Sequence, residues 1–310
     1  MNEILILVVL IFFFFLIFVI SWISWIWFVN NRPPSLETTT KIEKFKGVRK
    51  VCFYVYYEKD EEYKKNFEFF QRYGIYDNMD YVIIINGKCT VAIPVIQRHN
   101  VRILYRDNIG YDFGAYAHGL SVLGKEKENY DYFFFINTSV RGPYMYPDAE
   151  NPENDLSRWS DTFIDLFDEK DVHLVGCTIN ICVNCWWVES YFKRPGPFPH
   201  VQSYVFVLDR AGLDLLEPTI FSTDNPTCSF DETILKYEIG MSEKILKNNW
   251  NIACTARKYQ GYDYRTLKSN INTSALVYYG DPCYPFAYFG DHLDAREIIF
   301  IKTNRGLFMP

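Results

Sequence analysis

The sequence is poor in the residues that mark several protein classes. Its 310 residues include only 16 glycines and 14 prolines, which excludes collagen-like and low-complexity chains. Eight cysteines without a repeated pair spacing are too few for a disulfide scaffold. Basic charge is not in excess, because 32 Lys and Arg face 38 Asp and Glu and the net charge is −6. Nucleic-acid binding needs a basic face, so we expect no nucleic-acid partner.

Hydrophobic residues are abundant, and the first of them form one uninterrupted segment. They make up 49% of the chain, with 18% aromatic residues, which excludes intrinsic disorder. No residue from Ile4 to Asn31 is charged. As a helix this segment would span about 42 Å, more than the ~30 Å hydrocarbon core of a bilayer. Trp22, Trp25 and Trp27 lie toward its end, as interfacial residues do. We therefore predict a single-pass transmembrane anchor at residues 1–31.

A cleaved signal peptide is the alternative to this anchor. It fits poorly, because the apolar segment is too long, its start lacks a basic cluster and no small-residue cleavage site follows. The next segment, residues 32–47, contains Pro33-Pro34 and is interpreted as a tether. Residues 48–310 are then the folded body.

The side of the membrane on which the body lies is predicted from the flanking charges. Basic residues follow the anchor but do not precede it: Arg32, Lys41, Lys44, Lys46, Arg49 and Lys50. The positive-inside rule therefore slightly favours a cytosolic body. Two glycosylation sequons, at Asn137 and Asn272, keep the lumenal alternative of a Golgi or ER enzyme open.

The body alternates strand-like and helix-like segments. Predicted strands are 51–57, 81–85, 101–105, 132–136, 173–178 and 203–208, and predicted helices are 61–73, 115–123, 211–216 and 231–248. Such alternation predicts an α/β domain with a mostly parallel sheet flanked by helices. Ligands of these sheets bind beyond the carboxyl ends of the strands. The segments that follow the predicted strands are therefore the candidates for a site: 57–58, 86–87, 106–112 and 137–143.

The loop after the third predicted strand is a candidate ligand site. Asn108, Gly110 and Asp112 lie in this loop, and a helix follows them. Glycine lets the backbone approach a ligand, and a helix N-terminus offers free N–H groups to phosphate. The dinucleotide fingerprint and the Walker lysine are both absent. An alternative is a tight loop in which Asp112 caps the helix.

The order of motifs resembles that of GT-A glycosyltransferases, and more narrowly that of the rhamnan synthesis F-type family. The NxGxDxGA loop at Asn108–Ala115 precedes YDYFFFINTSVRGP at Tyr130–Pro143. The resemblance implies a GT-A-like fold and a nucleotide-sugar donor held by these residues: Asn86, Asn108, Gly110, Asp112, Asn137, Ser139 and Arg141. Asn137 and Ser139 stand where the wider class has a metal-binding DxD motif. Since an amide and a hydroxyl are poorer ligands for Mn²⁺ or Mg²⁺ than carboxylates, we assign no metal ligand.

The second half of the chain extends the resemblance to the acceptor side. It implies that His200 and Gln202 face the acceptor and that Glu238, in YEIGMSEKILKNNW, is the catalytic base. Tyr237 stands where the class has a preceding carboxylate. A base at Glu238 would take the proton of the acceptor hydroxyl. The alternatives for this role are Glu243, Asp231 and Glu232.

The C-terminal segment Glu297–Arg305 resembles the ending of the same family. The resemblance implies that Lys302 and Arg305, helped by His292, neutralise the departing diphosphate, since phosphate recognition favours such donors. Surface basic residues after a strand are the alternative.

A zinc site is a competing hypothesis. His173, Cys177, Cys182 and Cys185 fall within thirteen positions. His173 and Cys177 would stand about 13 Å apart along a strand, and the CxxC pair at Cys182 has no second pair. We therefore expect buried core thiols. A nucleophilic hydrolase is also disfavoured, because no GxSxG elbow occurs.

These observations predict a membrane-anchored glycosyltransferase that acts on a glycan or lipid-linked glycan. The resemblance implies that it inverts the configuration at the transferred sugar. A catalytically inactive GT-A-like protein that binds sugar or serves as a scaffold remains the alternative, and a membrane protein that only binds a partner is a second.

Overall fold

The computed structural model describes residues 47–146, 156–169, 171–224 and 228–307. The predicted anchor and all but the last residue of the predicted tether lie outside these described residues. Within the described ranges, no helix is long and apolar enough to cross a membrane.

The described residues form a central sheet and two small ribbons. The strands are β1 (Lys50–Tyr56), β2 (Asp80–Asn86), β3 (Val101–Arg106), β4 (Tyr132–Asn137), β5 (Val140–Arg141), β6 (Val172–Gly176), β7 (Ile179–Cys182), β8 (Phe198–Val201), β9 (Val205–Asp209), β10 (Asn251–Cys254) and β11 (Ile301–Lys302). The seven-stranded sheet has the order β10-β6-β9-β4-β1-β2-β3. Pairing is parallel except at β9, which runs antiparallel to both β4 and β6. The predicted mostly parallel α/β sheet is thus confirmed.

Helices cover this sheet. They are α1 (Glu61–Tyr73), α2 (Tyr111–Leu123), α3 (Asp161–Ile164), α4 (Trp186–Phe192), α5 (Arg210–Leu216), α6 (Phe230–Thr233), α7 (Gly240–Lys247) and α8 (Ala295–Ile298). A π-helical turn, Ile234–Ile239, joins α6 to α7. Short 3-10 helices lie at Pro94–Gln97, Gly124–Asn129, Leu156–Arg158, Asp165–Asp168, Arg257–Tyr259 and Thr273–Tyr278. The bounds of α1 match the prediction, and the Asp60 side chain caps its first turn.

β4 lies at the centre of the sheet and is covered on both faces, which explains why five of its six residues are apolar or aromatic. Phe135 packs on one side of the sheet against Phe206 of β9, with ring centroids 4.7 Å apart. Phe134 points the other way and meets Trp159 at 5.4 Å. Successive side chains of a strand face opposite layers, so a strand covered on both faces needs apolar residues at every position.

Two ribbons add residues at the carboxyl end of the sheet. β11 pairs antiparallel with β5, directly after β4, with Lys302 opposite Val140. β7 and β8 pair antiparallel, with Asn180 opposite His200. The sequence analysis predicted neither ribbon, because their strands are only two and four residues long.

Candidate functional site

A cavity of about 620 Å³ opens at the carboxyl ends of the parallel strands. Residues after β3 and β4 form one wall, and the β7–β8 ribbon and the π turn form another. It has room for a ligand of several rings. Nine of the predicted site residues line it: Asn108, Asp112, Asn137, Ser139, His200, Gln202, Glu238, Lys302 and Arg305.

Asp112 and Asn137 are in direct contact in this cavity. Asn137 Nδ2 donates to Asp112 Oδ2 over 2.8 Å. Burial raises the pKa of Asp112 to about 6, although the Asn137 hydrogen bond and the charge of Lys302 act in the opposite direction. Asp112 lies in the first turn of α2 and Gly110 is the N-cap, so the alternative that Asp112 caps the helix is wrong.

Ser139 completes the turn after β4. The side-chain oxygen of Asn137 accepts from Ser139 N over 3.0 Å and from Ser139 Oγ over 2.6 Å. The ribbon β5–β11 then brings Lys302 beside this turn, with its ammonium 5.2 Å from the ring centre of Tyr204. A cation and a carboxylate therefore flank the end of the central strand.

Hydrogen bonds from Asn86 and Arg106 hold the loop before α2. Asn86 Nδ2 donates to Asn108 Oδ1 over 3.2 Å, and Arg106 Nη1 donates to Asn86 Oδ1 over 2.7 Å. Gly110 has φ = 74°, a conformation that favours glycine. Asn108 lines the main cavity, while Asn86 and Gly110 do not.

Glu238 enters the cavity from the π turn. Its Oε2 accepts from the backbone N of Ser203 over 3.2 Å and also from Ser203 Oγ. Its Oε1 lies 3.8 Å from Nε2 of the buried His200, whose Nδ1 donates to the Phe198 carbonyl over 2.9 Å. Ser203 thus holds one carboxylate oxygen in place, and His200 is the neighbour of the other. π turns inside helices often occur at functional sites, because they redirect side chains.

One polar face of the β7–β8 ribbon lines the cavity. Asn180 and His200 are cross-strand neighbours, and Gln202 continues the same face. Gln202 is 5% exposed, and its Oε1 accepts from Thr178 Oγ1 over 2.7 Å and from Cys283 Sγ over 3.2 Å. Its amide nitrogen is therefore the group that can donate to a ligand. No described residue donates to the buried Oδ1 of Asn180.

Residues near the C-terminal end of the body add an ion pair to the cavity, in addition to the contact of Glu238 with His200. Arg305 Nε lies 3.6 Å from Asp281 Oδ2, and the guanidinium stacks 4.8 Å from the ring centre of Tyr284. Asp281 is 7% exposed and accepts from Cys283 N over 2.8 Å. The charges of this pair offset each other, so Lys302 supplies the less compensated positive charge.

Besides Asn86 and Gly110, two more predicted residues do not line the cavity, Arg141 and His292. Arg141 donates to Glu62 Oε1 over 2.6 Å and to Asn66 Oδ1 over 3.1 Å. His292 packs against Phe286, with ring centres 4.2 Å apart. Neither lines the cavity.

The alternative carboxylates for the base are also elsewhere. Glu243 pairs with Arg194, Glu232 forms a capping box with Ser229, and Asp231 is exposed. Tyr237 stacks on Phe113, 5.3 Å between ring centres. Glu238 is thus the candidate of this group that reaches the cavity.

The cysteine expectation was partly wrong. Cys182 and Cys185 form a disulfide, whereas Cys177 is a free, buried thiol as expected. The disulfide follows β7 and Cys182 lines the cavity. In the part of the chain that the structure describes, no group of three His, Cys, Asp or Glu side chains is arranged to hold a metal ion.

Both sequons lie inside the folded body. Asn137 is engaged with Asp112, and Asn272 is 0% exposed and donates to the Ala287 carbonyl over 2.7 Å. Neither side chain is accessible for glycan attachment in this fold.

The sequence analysis assigned no role to several cavity residues. The main ones are Tyr57, Tyr63, Asn180, Trp187, Phe230, Tyr279 and Asp281. Tyr57 directly follows β1 and lies in a strand-end segment that the sequence analysis singled out as a candidate site. The remaining residues come from segments with no motif, and no sequence signal marks them.

The chain resembles a curated protein over only part of its length. No protein-family model matches the sequence. Virulence protein VirA of Vibrio anguillarum is 29% identical over 110 residues, which are 34% of this chain and 36% of VirA. The match thus spans about a third of the length of that curated relative.

The structural neighbours include glycosyltransferases. The mannosyltransferase PcManGT from Pyrobaculum calidifontis, solved with GDP-Man and Mn²⁺, is 10% identical with a TM-score of 0.37, over 66% of this chain and 54% of that one. TarS of S. aureus is 9% identical with a TM-score of 0.37, over 67% and 58%. A Drosophila galactosyltransferase solved with manganese, UDP-Gal and xylobiose is 9% identical with a TM-score of 0.32, over 69% and 66%. Similarity at this level does not identify an activity.

Proposed function

We propose that this protein is a membrane-anchored, inverting glycosyltransferase that moves a sugar from a nucleotide-sugar donor to a hydroxyl of a glycan. The observation that carries the proposal is the position of Glu238, which lines the same cavity as Asp112, Asn137 and Lys302 and whose Oε1 lies 3.8 Å from His200 Nε2. The motif resemblance to the rhamnan synthesis F-type family supports it and suggests a role in polysaccharide biosynthesis.

The proposed reaction needs a base and a charge that stabilises the leaving group. The acceptor oxygen forms a bond to the sugar C1 as the bond from C1 to the diphosphate breaks. Glu238 takes the proton of the acceptor hydroxyl, and the donor diphosphate departs beside Lys302 and Arg305. Gln202 and His200 would face the acceptor, while Asn108 and Asp112 would contact the donor.

The residues at the DxD positions do not fit a divalent metal. The side-chain oxygen of Asn137 already accepts two hydrogen bonds from Ser139, and neither residue carries the negative charge that a hard cation favours. No step of the proposed reaction passes through a metal.

The test is a matched pair of variants in the full-length protein. With a panel of UDP-, GDP- and dTDP-sugars, Glu238→Gln is expected to lower transfer by roughly 10²–10⁴-fold while nucleotide still raises the melting temperature. Asp231→Asn, an exposed carboxylate of α6, is the control and should retain transfer. Equal products from wild type and Glu238→Gln would show that Glu238 is not the base.

The inactive sugar-binding or scaffold protein is the second candidate, favoured by Asn137 and Ser139 at the DxD positions. It predicts that a nucleotide sugar binds and that no donor in the panel is consumed.

We propose that the body lies on the cytosolic side of the membrane, because the basic residues that flank the anchor lie within residues 32–50.

A further inference from the structure

Several highly exposed apolar side chains line the cavity or directly precede a residue that lines it. Phe230 and Tyr279 line the cavity and are 63% and 69% exposed. Trp186 is 79% exposed and precedes Trp187, a lining residue. Val277 is 80% exposed and precedes the lining residue Tyr278. We call Trp186, Phe230, Val277 and Tyr279 the rim.

Buried neighbours hold the rim in this exposed arrangement. Helix α4, which begins at Trp186, packs through Val188 against Ile239 of the π turn, and Trp187 and Ile234 pack on the same cluster. On the other side, the 3-10 helix that carries Val277 is fixed by buried Ala275, whose carbonyl accepts from Gly280 N over 3.0 Å. Exposed side chains on such well-packed supports form a preorganised surface rather than a loose loop.

The rim combines the residue types that favour a membrane interface. Trp and Tyr are enriched where hydrocarbon meets headgroups, and Phe and Val gain from partial burial in lipid. An exposed apolar patch beside a cavity marks an interaction surface.

We propose that the rim docks on the surface of a lipid bilayer, so that the cavity opens onto the membrane interface and takes a lipid-linked acceptor. The anchor proposed for the charge-free segment from Ile4 to Asn31 would make a bilayer the neighbour of this body. The following residues, 32–47, reach at most roughly 55 Å when extended, which keeps the body close to lipid. The inference rests on the anchor and the glycosyl transfer proposed above.

Photo-crosslinking of the full-length protein in phosphatidylcholine vesicles tests this. Benzophenone-alanine replaces Tyr279 in one variant, Tyr105 in a second and Phe14 in a third. Tyr105 is 66% exposed and does not line the cavity, so it is the matched control, and Phe14 reports on the anchor. We expect lipid adducts from Phe14 and Tyr279 and at least fivefold fewer from Tyr105.

The outcomes separate the docking from the anchor. Adducts from Phe14 with equal yields from Tyr279 and Tyr105 would overturn the docking and leave the anchor standing. No adduct from Phe14 would remove the anchor itself, and with it this inference. Chain-to-chain adducts from Tyr279 in place of lipid adducts would also overturn it, because the rim would then be an interface between copies.

A second variant tests the rim without touching the cavity. Val277→Asp should lower the Tyr279 lipid adduct severalfold, because a charge at the interface opposes insertion. Val122→Asp, on an exposed position of α2, should leave the adduct unchanged. An unchanged adduct in Val277→Asp would overturn the proposed docking surface.

Discussion

The amide nitrogen of Asn137 donates to the Asp112 carboxylate over 2.8 Å, which joins the end of β4 to the first turn of α2. The two residues come from separate motifs, 25 positions apart along the chain. Their contact places a carboxylate at the strand end although both DxD positions are uncharged. Asp112 therefore gives this cavity a negative charge that titrates near neutral pH.

Replacement of Asp112 should change how stability depends on pH. The folded-state pKa of about 6 lies above the ordinary value near 4, so the ionised form is disfavoured and stability falls as pH rises from about 4 through 6. Asp112→Asn removes this loss. We expect it to be more stable than wild type at pH 7 by on the order of 2–3 kcal/mol, and equal at pH 4.

Thermal unfolding of the full-length protein in detergent at both pH values measures this difference. Asp107→Asn, an exposed position in the same loop, is the control and should follow wild type. A constant offset between Asp112→Asn and wild type across this pH range would contradict the assignment of the titration.

Lys302 should account for much of the affinity for a nucleotide diphosphate. A charged hydrogen bond to phosphate contributes about 1.5–3 kcal/mol, so Lys302→Met should weaken binding of the nucleotide diphosphate roughly 10- to 100-fold. A chelator should not weaken it, since no metal ligand is assigned. Calorimetric titration, with Lys125→Met at an exposed position as the control, measures both effects. Loss of binding on chelation would show that a metal, not Lys302, neutralises the diphosphate.

Thr178 should act as a positioning residue for Gln202. Its hydroxyl donates to Gln202 Oε1 and lies 2.7 Å from Tyr204 OH, while Thr178 itself is buried. Thr178→Val leaves both partners without this hydrogen bond. The acceptor KM should rise about tenfold, with donor binding unchanged. Thr178→Ser restores the hydroxyl and should restore the KM. If Thr178 had only a structural role, kcat and KM would change together in Thr178→Val, and donor binding would weaken as well.

The oxidation state of Cys182 and Cys185 tests the side of the membrane. Disulfides persist in oxidising compartments and are reduced in the cytosol. If the body is cytosolic, Cys182 and Cys185 should both be alkylated when cells are quenched rapidly in acid and the protein is then unfolded with an alkylating reagent. The free thiol of Cys177 is the internal reference, because it should be alkylated in the same sample. Mass spectrometry of the peptide reports the result. A pair that stays oxidised in cells would contradict the cytosolic proposal and favour the lumenal one.

Much of the fold was predictable, because its signals are local. Apolar runs such as residues 132–136 are long enough to mark buried strands, and the helical spacing of Phe67 and Phe70 marks α1. The loop at Gly110 was found as a candidate site because it joins a strand to a helix. The ribbon strands were not found, since two to four residues carry too little periodicity.

The sequence by itself determined the strand–helix alternation, the charge-free N-terminal segment and the residues at the ends of the strands. Those features depend on neighbours along the chain. Only the tertiary structure decided which of these side chains share a cavity. It placed Lys302 beside Asn137 through the pairing of β11 with β5, and it drew Arg141 away to Glu62. Such choices depend on contacts between distant segments, where hydrogen-bond geometry and burial select among partners that a linear pattern cannot rank.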